Sequence, residues 1–205
     1  MKPTRFGFAL LIPLAVTDLC NAQVQDAEQR NERLTLMEFR GIAATCAPGI
    51  PLVTLRAIAR AESAFHPYAL SLTYPRSTAR EHGLSTGGIN FARQPRTRAE
   101  ALAWTYYLLK RGRSVSVGLM QINTEHLADL GLSVDQLFDP CTNVRAGARL
   151  LAAKYEAAAA IVGEGQEALQ RALSEYNSGS AVVGVANGYV AGVVSGEFYR
   201  RQVPQ

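Results

Sequence analysis

The sequence predicts a mainly α (α+β) domain carrying a small irregular or β insert. Helix-start signals recur along the chain, at Thr35-x-x-Glu38, Thr97-x-x-Glu100 and Asp139-Pro140. Apolar residues follow at helical spacing. Only residues 71–96 break the pattern: they lack helical periodicity and hold Pro75, Gly83, Gly87, Gly88 and Pro95, with room for short strands. The chain has 205 residues, 48% apolar and 19% charged, which excludes wholesale disorder. That length buries a core without a metal or a dense disulfide set.

The elements follow in order. Lys2 and Arg5 precede an apolar run from Phe6 to Val16, then Cys20-Asn21-Ala22 and polar Gln23. This is the layout of a signal peptide over residues 1–22, cleaved after Ala22. The run is too short for a membrane span, and Pro13 interrupts it. A lipid attachment at Cys20 is disfavoured by Asp18 and Leu19 before it. Residues 23–33 are polar and read as a flexible leader. A helix opens at Thr35 and ends near Cys46-Ala47-Pro48-Gly49. The next has Pro51 in its first turn, a stripe of Leu52, Leu55, Ile58 and Ala59, and a stop before Pro67. Thr97 opens a helix with Leu102, Tyr106 and Leu109 on one face and Gly112 at its end. Ser114–Val117 alternates as an extended segment, and a short helix over Glu125–Leu130 stops at Gly131. Asp139 caps a long Ala-rich helix to about Val162. Ala168, Leu169, Ala172, Leu173 and Tyr176 mark one more, ended by Gly179. The Val-rich segment Ala181–Val194 cannot span a membrane, because Gly184, Asn187, Gly188 and Gly192 break it. The domain is expected over residues 34–195, with 196–205 as a C-terminal tail.

Signal removal takes Lys2, Arg5 and Asp18 with it, so the net charge falls from +4 to +3. A mild basic excess suits an anionic partner without choosing one. The basic residues are dispersed and the chain reads as exported, to a periplasm, which argues against nucleic acid. Two cysteines remain, Cys46 and Cys141. An even pair in an exported protein reads as a disulfide, the alternative being two buried thiols. His66, His82 and His126 form no metal-binding spacing, so no metal and no cofactor is expected.

Chemistry concentrates in three segments. In Ala61-Glu62-Ser63-Ala64-Phe65-His66-Pro67, Glu62 lies seven residues after Leu55 and three after Ala59, so it continues an apolar stripe in the last turn of its helix. Burial and the negative helix end both disfavour a carboxylate there. A carboxyl with a raised pKa can act as a general acid. The alternative is a solvated helix-end Glu. In Gly118-Leu119-Met120-Gln121-Ile122-Asn123, a glycine lets backbone approach a ligand, and the Gln121 and Asn123 amides suit sugar hydroxyls and N-acetyl groups. The alternative is a buried turn whose amides satisfy backbone. In Tyr176-Asn177-Ser178-Gly179, Tyr176 shares the apolar face, so its buried hydroxyl needs a partner. Glu62 would serve. An ordinary helix cap with a core tyrosine is the alternative.

Glu62-Ser63-x-Phe65-x-Pro67, Gly118-Leu119-Met120-Gln121-Ile122-Asn123 and Tyr176-Asn177-x-Gly179, in this order, resemble the catalytic domain of the soluble lytic transglycosylase (SLT) family. Gly88-Ile89-Asn90 with Gln94-Pro95-Arg96, Phe138-Asp139-Pro140-Cys141-x-Asn143-Val144-x-Ala146-Gly147, and Asn187-Gly188-Tyr189-Val190 are similar to the dedicated transglycosylases of type IV secretion and conjugation systems. The resemblance runs from about Ile42 to Tyr189. It implies a lysozyme-like fold and peptidoglycan glycan strands as substrate. The bond cut would be the β-1,4 link between N-acetylmuramic acid and N-acetylglucosamine, leaving a 1,6-anhydro product, and components of such a secretion machine would be partners. Glu62 would be the catalytic residue, acid and then base; no second acidic motif stands near the three segments, and Glu81, Glu125 and Glu175 stay open as other acids. Ser63 would support the Glu62 carboxyl or the substrate's N-acetyl group. Met120 would form cleft wall beside Gln121, Tyr176 would hydrogen-bond Glu62, and Asn177 would help position the cleft. Gly118 and Asn123 complete the expected substrate-binding set. A hydrolytic muramidase and a peptidoglycan-binding scaffold that does not cut are the competing readings.

Overall fold

The computed structural model describes residues 33–73, 89–90 and 93–196. The expected signal peptide, almost all of the leader, the tail after Gly196, and Pro75, Glu81, His82, Gly83, Gly87 and Gly88 lie outside the described residues.

Helix α1 (Leu36–Cys46) starts at Thr35 with both halves of a capping box: Glu38 N–H donates to the Thr35 hydroxyl, and Thr35 N–H donates to Glu38 Oε2. It buries Phe39, Ala43 and Cys46. Helix α2 (Leu52–Ser63) follows Pro51, which occupies the cap position, and buries Leu55, Ile58 and Ala59. Leu52, expected on that stripe, is exposed. The chain leaves α2 through two successive left-handed non-glycine residues, Ala64 at φ 49° and Phe65 at φ 65°. Such backbone is unfavourable for a bulky residue. Burial of the Phe65 ring against Phe39, at 5.1 Å between centroids, holds it there.

The insert is an antiparallel sheet of β1 (Leu70–Thr73), β2 (Ile89–Asn90), β3 (Ser114–Val117) and β4 (Ile122–Asn123), in the order β2-β1-β3-β4. Leu70 faces Val117 across β1 and β3, and Val117 faces Ile122 across β3 and β4. Gln94 extends the pairing with its side chain, accepting from Leu70 N–H and donating to Leu70 C=O. Between β2 and β3 lies α3 (Arg98–Leu109), capped by Thr97. Its expected apolar face is rotated. Ala101 and Thr105 are the buried residues, and Tyr106 is exposed, its hydroxyl donating to Asp135. Small side chains sit inside because α3 packs closely on β3, whose four residues are all buried.

After β4 a 3₁₀ turn (Thr124–His126) leads into α4 (Leu127–Leu130), which stops at left-handed Gly131. A capped turn of helix that the sequence reading passed over, α5 (Val134–Leu137), precedes α6 (Pro140–Val162). Asp139 caps α6 with its carboxylate on Thr142 N–H, and Pro140 takes the first position, as expected. Helix α7 (Gln166–Ser178) ends at left-handed Gly179. The glycine-broken Val-rich segment forms two short helices, α8 (Val183–Ala186) and α9 (Tyr189–Ser195).

The core gathers where α6 packs against α1 and α7, and where α9 packs against α2 and α7. Cys46 and Cys141 are disulfide-bonded, tying the end of α1 to the first turn of α6 across 95 residues. Closing so long a loop stabilises by about 4–5 kcal/mol in the chain-entropy account. Among the described residues no helix is long and apolar enough to cross a membrane, and no group of three potential metal ligands gathers.

Candidate active site

Three helices converge on Glu62. Helix α2 supplies the residue in its last turn, α7 brings Tyr176, and α9 brings Tyr189. The residue Glu62 is half-buried, and its carboxyl has lost enough water to raise its pKa from 4.5 to about 7. Burial is the leading cause. A hydrogen bond from the Tyr189 hydroxyl to Oε1, at 2.6 Å, pulls the other way by favouring the ionised form. Burial and the Glu62 charge push both tyrosines well above their ordinary pKa, so each hydroxyl keeps its proton.

The partner expected for Glu62 was Tyr176. Its hydroxyl instead donates to the Met120 carbonyl at 2.8 Å, and Tyr189 takes the place beside the carboxyl. The difference follows from α9, whose short turn of helix begins at left-handed Gly188 and aims Tyr189 at α2.

The turn between β3 and β4 forms the other side. Gly118 has φ 79°, and a Cβ there would meet the Asn143 amide nitrogen at 2.3 Å, so only glycine fits. Asn143 is buried on α6. It accepts from Met120 N–H and donates to the carbonyls of Val117 and Leu137. Met120, expected as cleft wall, is fully buried and packs onto Gly147, where a Cβ would sit 2.8 Å from its side chain. Ser63 donates to the Leu119 carbonyl at 2.8 Å and lies 3.0 Å from the Ala59 carbonyl, so it binds α2 to this turn and is not spent on the Glu62 carboxyl.

Gln121 sits at φ 46°. Its amide donates to the carbonyls of Ala69 and Gly118 and accepts from the Ser71 hydroxyl. Asn123 accepts from the Ser114 hydroxyl and Glu125 N–H and donates to the Ser116 hydroxyl. Asn177 is exposed and accepts from the Asn187 amide. The structure therefore ties Ser63, Gln121 and Tyr176 to the turn that holds Gly118 and Met120, with Glu62 next to Ser63 on α2, Asn123 on β4 and Asn177 one residue past Tyr176.

The Transglycosylase SLT domain family matches residues 41–193, which takes in every one of these residues. The chain belongs to this family. Protein virB1 of Agrobacterium fabrum is 37% identical over 158 residues, covering 77% of this chain and 58% of that protein. Type IV secretion system protein virB1 of Brucella abortus is 32% identical over 146 residues, covering 71% of this chain and 56% of that protein. This SLT chain thus spans somewhat more than half the length of the curated relatives it matches. No solved structure gives a match.

Two residues of this candidate site escaped sequence reasoning. Tyr189 was visible only as part of a motif. A signal for it existed: Gly188 precedes an apolar run with Tyr189, Val190 and Val193 at helical spacing, and a buried tyrosine hydroxyl needs a partner. Asn143 carried a comparable signal, an amide one turn into a helix whose neighbours Val144, Ala146 and Gly147 are apolar and buried.

Proposed function

We propose that this protein is a peptidoglycan lytic transglycosylase in which Glu62 is the only catalytic carboxyl. The observation that carries the reading is the Glu62 side chain itself: a carboxyl at a helix end, with a proton affinity near neutrality and a tyrosine hydroxyl on Oε1. In this reading the protonated carboxyl donates to the leaving glycosidic oxygen between N-acetylmuramic acid and N-acetylglucosamine. The substrate's own N-acetyl carbonyl stabilises the anomeric carbon. The muramoyl 6-hydroxyl then attacks that carbon and gives its proton to the Glu62 carboxylate, which restores the acid. One C–O bond breaks, one forms, and no water is consumed, so the product is a 1,6-anhydro sugar.

Substrate assistance removes the need for a second carboxylate. In keeping with that, burial and the Tyr189 bond account for the Glu62 shift among the described residues, with no second acid contributing. Ser63, Gly118, Met120, Gln121, Asn123, Tyr176 and Asn177 would shape the cleft, most of them by fixing backbone. The name of the Brucella abortus relative supports a role in a type IV secretion apparatus, and the motif resemblance extends this to conjugation systems, where local cutting would open the wall. Export to the periplasm through the N-terminal signal fits that role.

Mass spectrometry of muropeptides released from purified sacculi tests the reading. The anhydro product is lighter than the hydrolysis product by one water. Release of hydrated ends would make the protein a muramidase, and undiminished release by Glu62→Gln would end the assignment of Glu62.

A further inference from the structure

Helix α3 is built inside out. Its buried positions hold Ala101 and Thr105, while Trp104, Tyr106 and Tyr107 are 44%, 44% and 46% exposed. Trp104, Tyr107 and Arg111 are spaced three and four residues apart and share one face. They are mutually arranged. Trp104 meets Tyr107 edge to face with centroids 5.6 Å apart, and the Arg111 guanidinium lies 3.6 Å from the Tyr107 ring centre. Arg111 also donates to the Tyr107 carbonyl at 3.4 Å. A guanidinium so placed has already lost much of its rotamer freedom, which lowers the cost of binding. The segment from Ala101 to Gly118 contains Lys110, Arg111 and Arg113 and no Asp or Glu. Asp135, the acid that Tyr106 of the same helix reaches, is taken up by Tyr106 and Arg98.

We propose that the Trp104–Tyr107–Arg111 face is a second peptidoglycan-binding site, in which Trp104 stacks on a sugar ring and Arg111 with Lys110 holds carboxylates of the peptide stems. The ligand class rests on the function proposed above. Flat aromatic surface suits the apolar face of a sugar, and a guanidinium fork suits a carboxylate. A second copy of the chain fits poorly, because a two-fold contact would set Lys110 and Arg111 against their own equivalents. Position supports a polymer. The seven residues from Arg111 to Gly118 run through β3, so Arg111 lies no farther than roughly 23 Å from the Gly118 turn beside Glu62. A glycan strand is long enough to cover that distance, and in this reading the patch would keep the enzyme on its insoluble substrate between cuts.

Trp104 is the only tryptophan in the chain, so its fluorescence reports on this face alone. Full-length Glu62→Gln protein, titrated with soluble stem-bearing glycan strands, should show a saturable emission change whose midpoint rises with salt. Arg111→Glu in that background should raise the midpoint about tenfold, and stem-free chito-oligosaccharide should bind more weakly and without salt dependence. With Glu62 intact, Arg111→Glu should cut short soluble glycans at the wild-type rate yet co-sediment less with sacculi. The proposal is overturned by silent Trp104 emission when strands bind by co-sedimentation. An unmoved Arg111→Glu midpoint overturns it too, as does preferential saturation by single-stranded oligonucleotide, or a wild-type dimer that Arg111→Glu dissolves. The two readings fail separately. Saturating emission without any released product would sink the cutting reaction and leave the patch. Normal release with silent emission would sink the patch alone.

Discussion

On the helical side of the site, Glu62 and Tyr189 form a pair whose proton can move: an acid near pH 7 and a hydroxyl that follows its charge. On the sheet side, Gln121, Asn123 and Asn143 carry more polar side-chain atoms, yet each is tied to backbone or to a serine of the same chain. The first arrangement leaves a buried charge half-compensated, which is costly for stability and useful for chemistry. The second satisfies its buried groups, which stabilises the turn and fixes its shape. One side is therefore expected to do chemistry and the other to hold position, and substitutions on the two sides should fail differently.

The largest effect belongs to Glu62→Gln. Muropeptide release should fall about a thousandfold, the range of a lost general acid, while the protein becomes more stable at alkaline pH. The folded pKa of about 7 lies above the ordinary 4.5, so the native state binds a proton more tightly than the unfolded chain. The stability this supplies is fully present below pH 4.5 and is lost as pH rises through 7. Relative to wild type, Glu62→Gln should thus be stabilised by about 2 kcal/mol at pH 8, allowing for the residue's partial exposure, and by almost nothing at pH 4. Urea unfolding at both pH values measures it. Equal effects at the two would mean that the carboxyl is not held protonated.

Asn143→Ala tests the opposite side. It strands Met120 N–H and the carbonyls of Val117 and Leu137 away from water, so it should destabilise by about 3 kcal/mol at every pH. A loss below about 0.5 kcal/mol in urea unfolding would show that the turn holds itself.

The same division explains what could be read in the sequence. Capping signals at Thr35, Thr97 and Asp139 and the stripe of Leu55, Ile58 and Ala59 are local, and they placed α1, α2, α3 and α6 and put Glu62 in an apolar row. The disulfide was legible from the parity of the cysteines. Contacts between elements were not. Tyr176 is half-buried and Tyr189 buried, both near helix ends, and only the packing of α9 on α2 decides which one reaches the acid. The rotated face of α3 has the same origin, because apolar spacing cannot show that close packing on β3 selects Ala101 and Thr105 over Tyr106. Amides such as Gln121 look alike in sequence whether they face ligand or backbone.

Tyr189→Phe should have a smaller and more diagnostic effect. The lost hydrogen bond is one that lowers the Glu62 pKa, so its removal raises that pKa further. A general acid works while protonated, so kcat/KM of wild type should decline above about pH 7. The Tyr189→Phe decline should begin at higher pH, with a modest loss of rate on the acid side. A limb that stays in place would show that the hydroxyl does not touch the carboxyl during turnover.

The smallest expected change, in Tyr176→Phe, sharpens the contrast most. Both tyrosines have lost water beside Glu62, and both feel its charge. They differ in the hydrogen bond, since Tyr176 donates to Met120 C=O. Removing that hydroxyl leaves the turn carbonyl without its partner, which should destabilise by about 1 kcal/mol in urea unfolding. The Glu62 carboxyl loses no donor, so the alkaline limb should stay where wild type has it, while Tyr189→Phe moves it. If Tyr176→Phe shifts the limb as far as Tyr189→Phe does, the hydroxyls exchange roles when substrate binds. The division between a side that carries protons and a side that holds position would then describe only the unliganded protein.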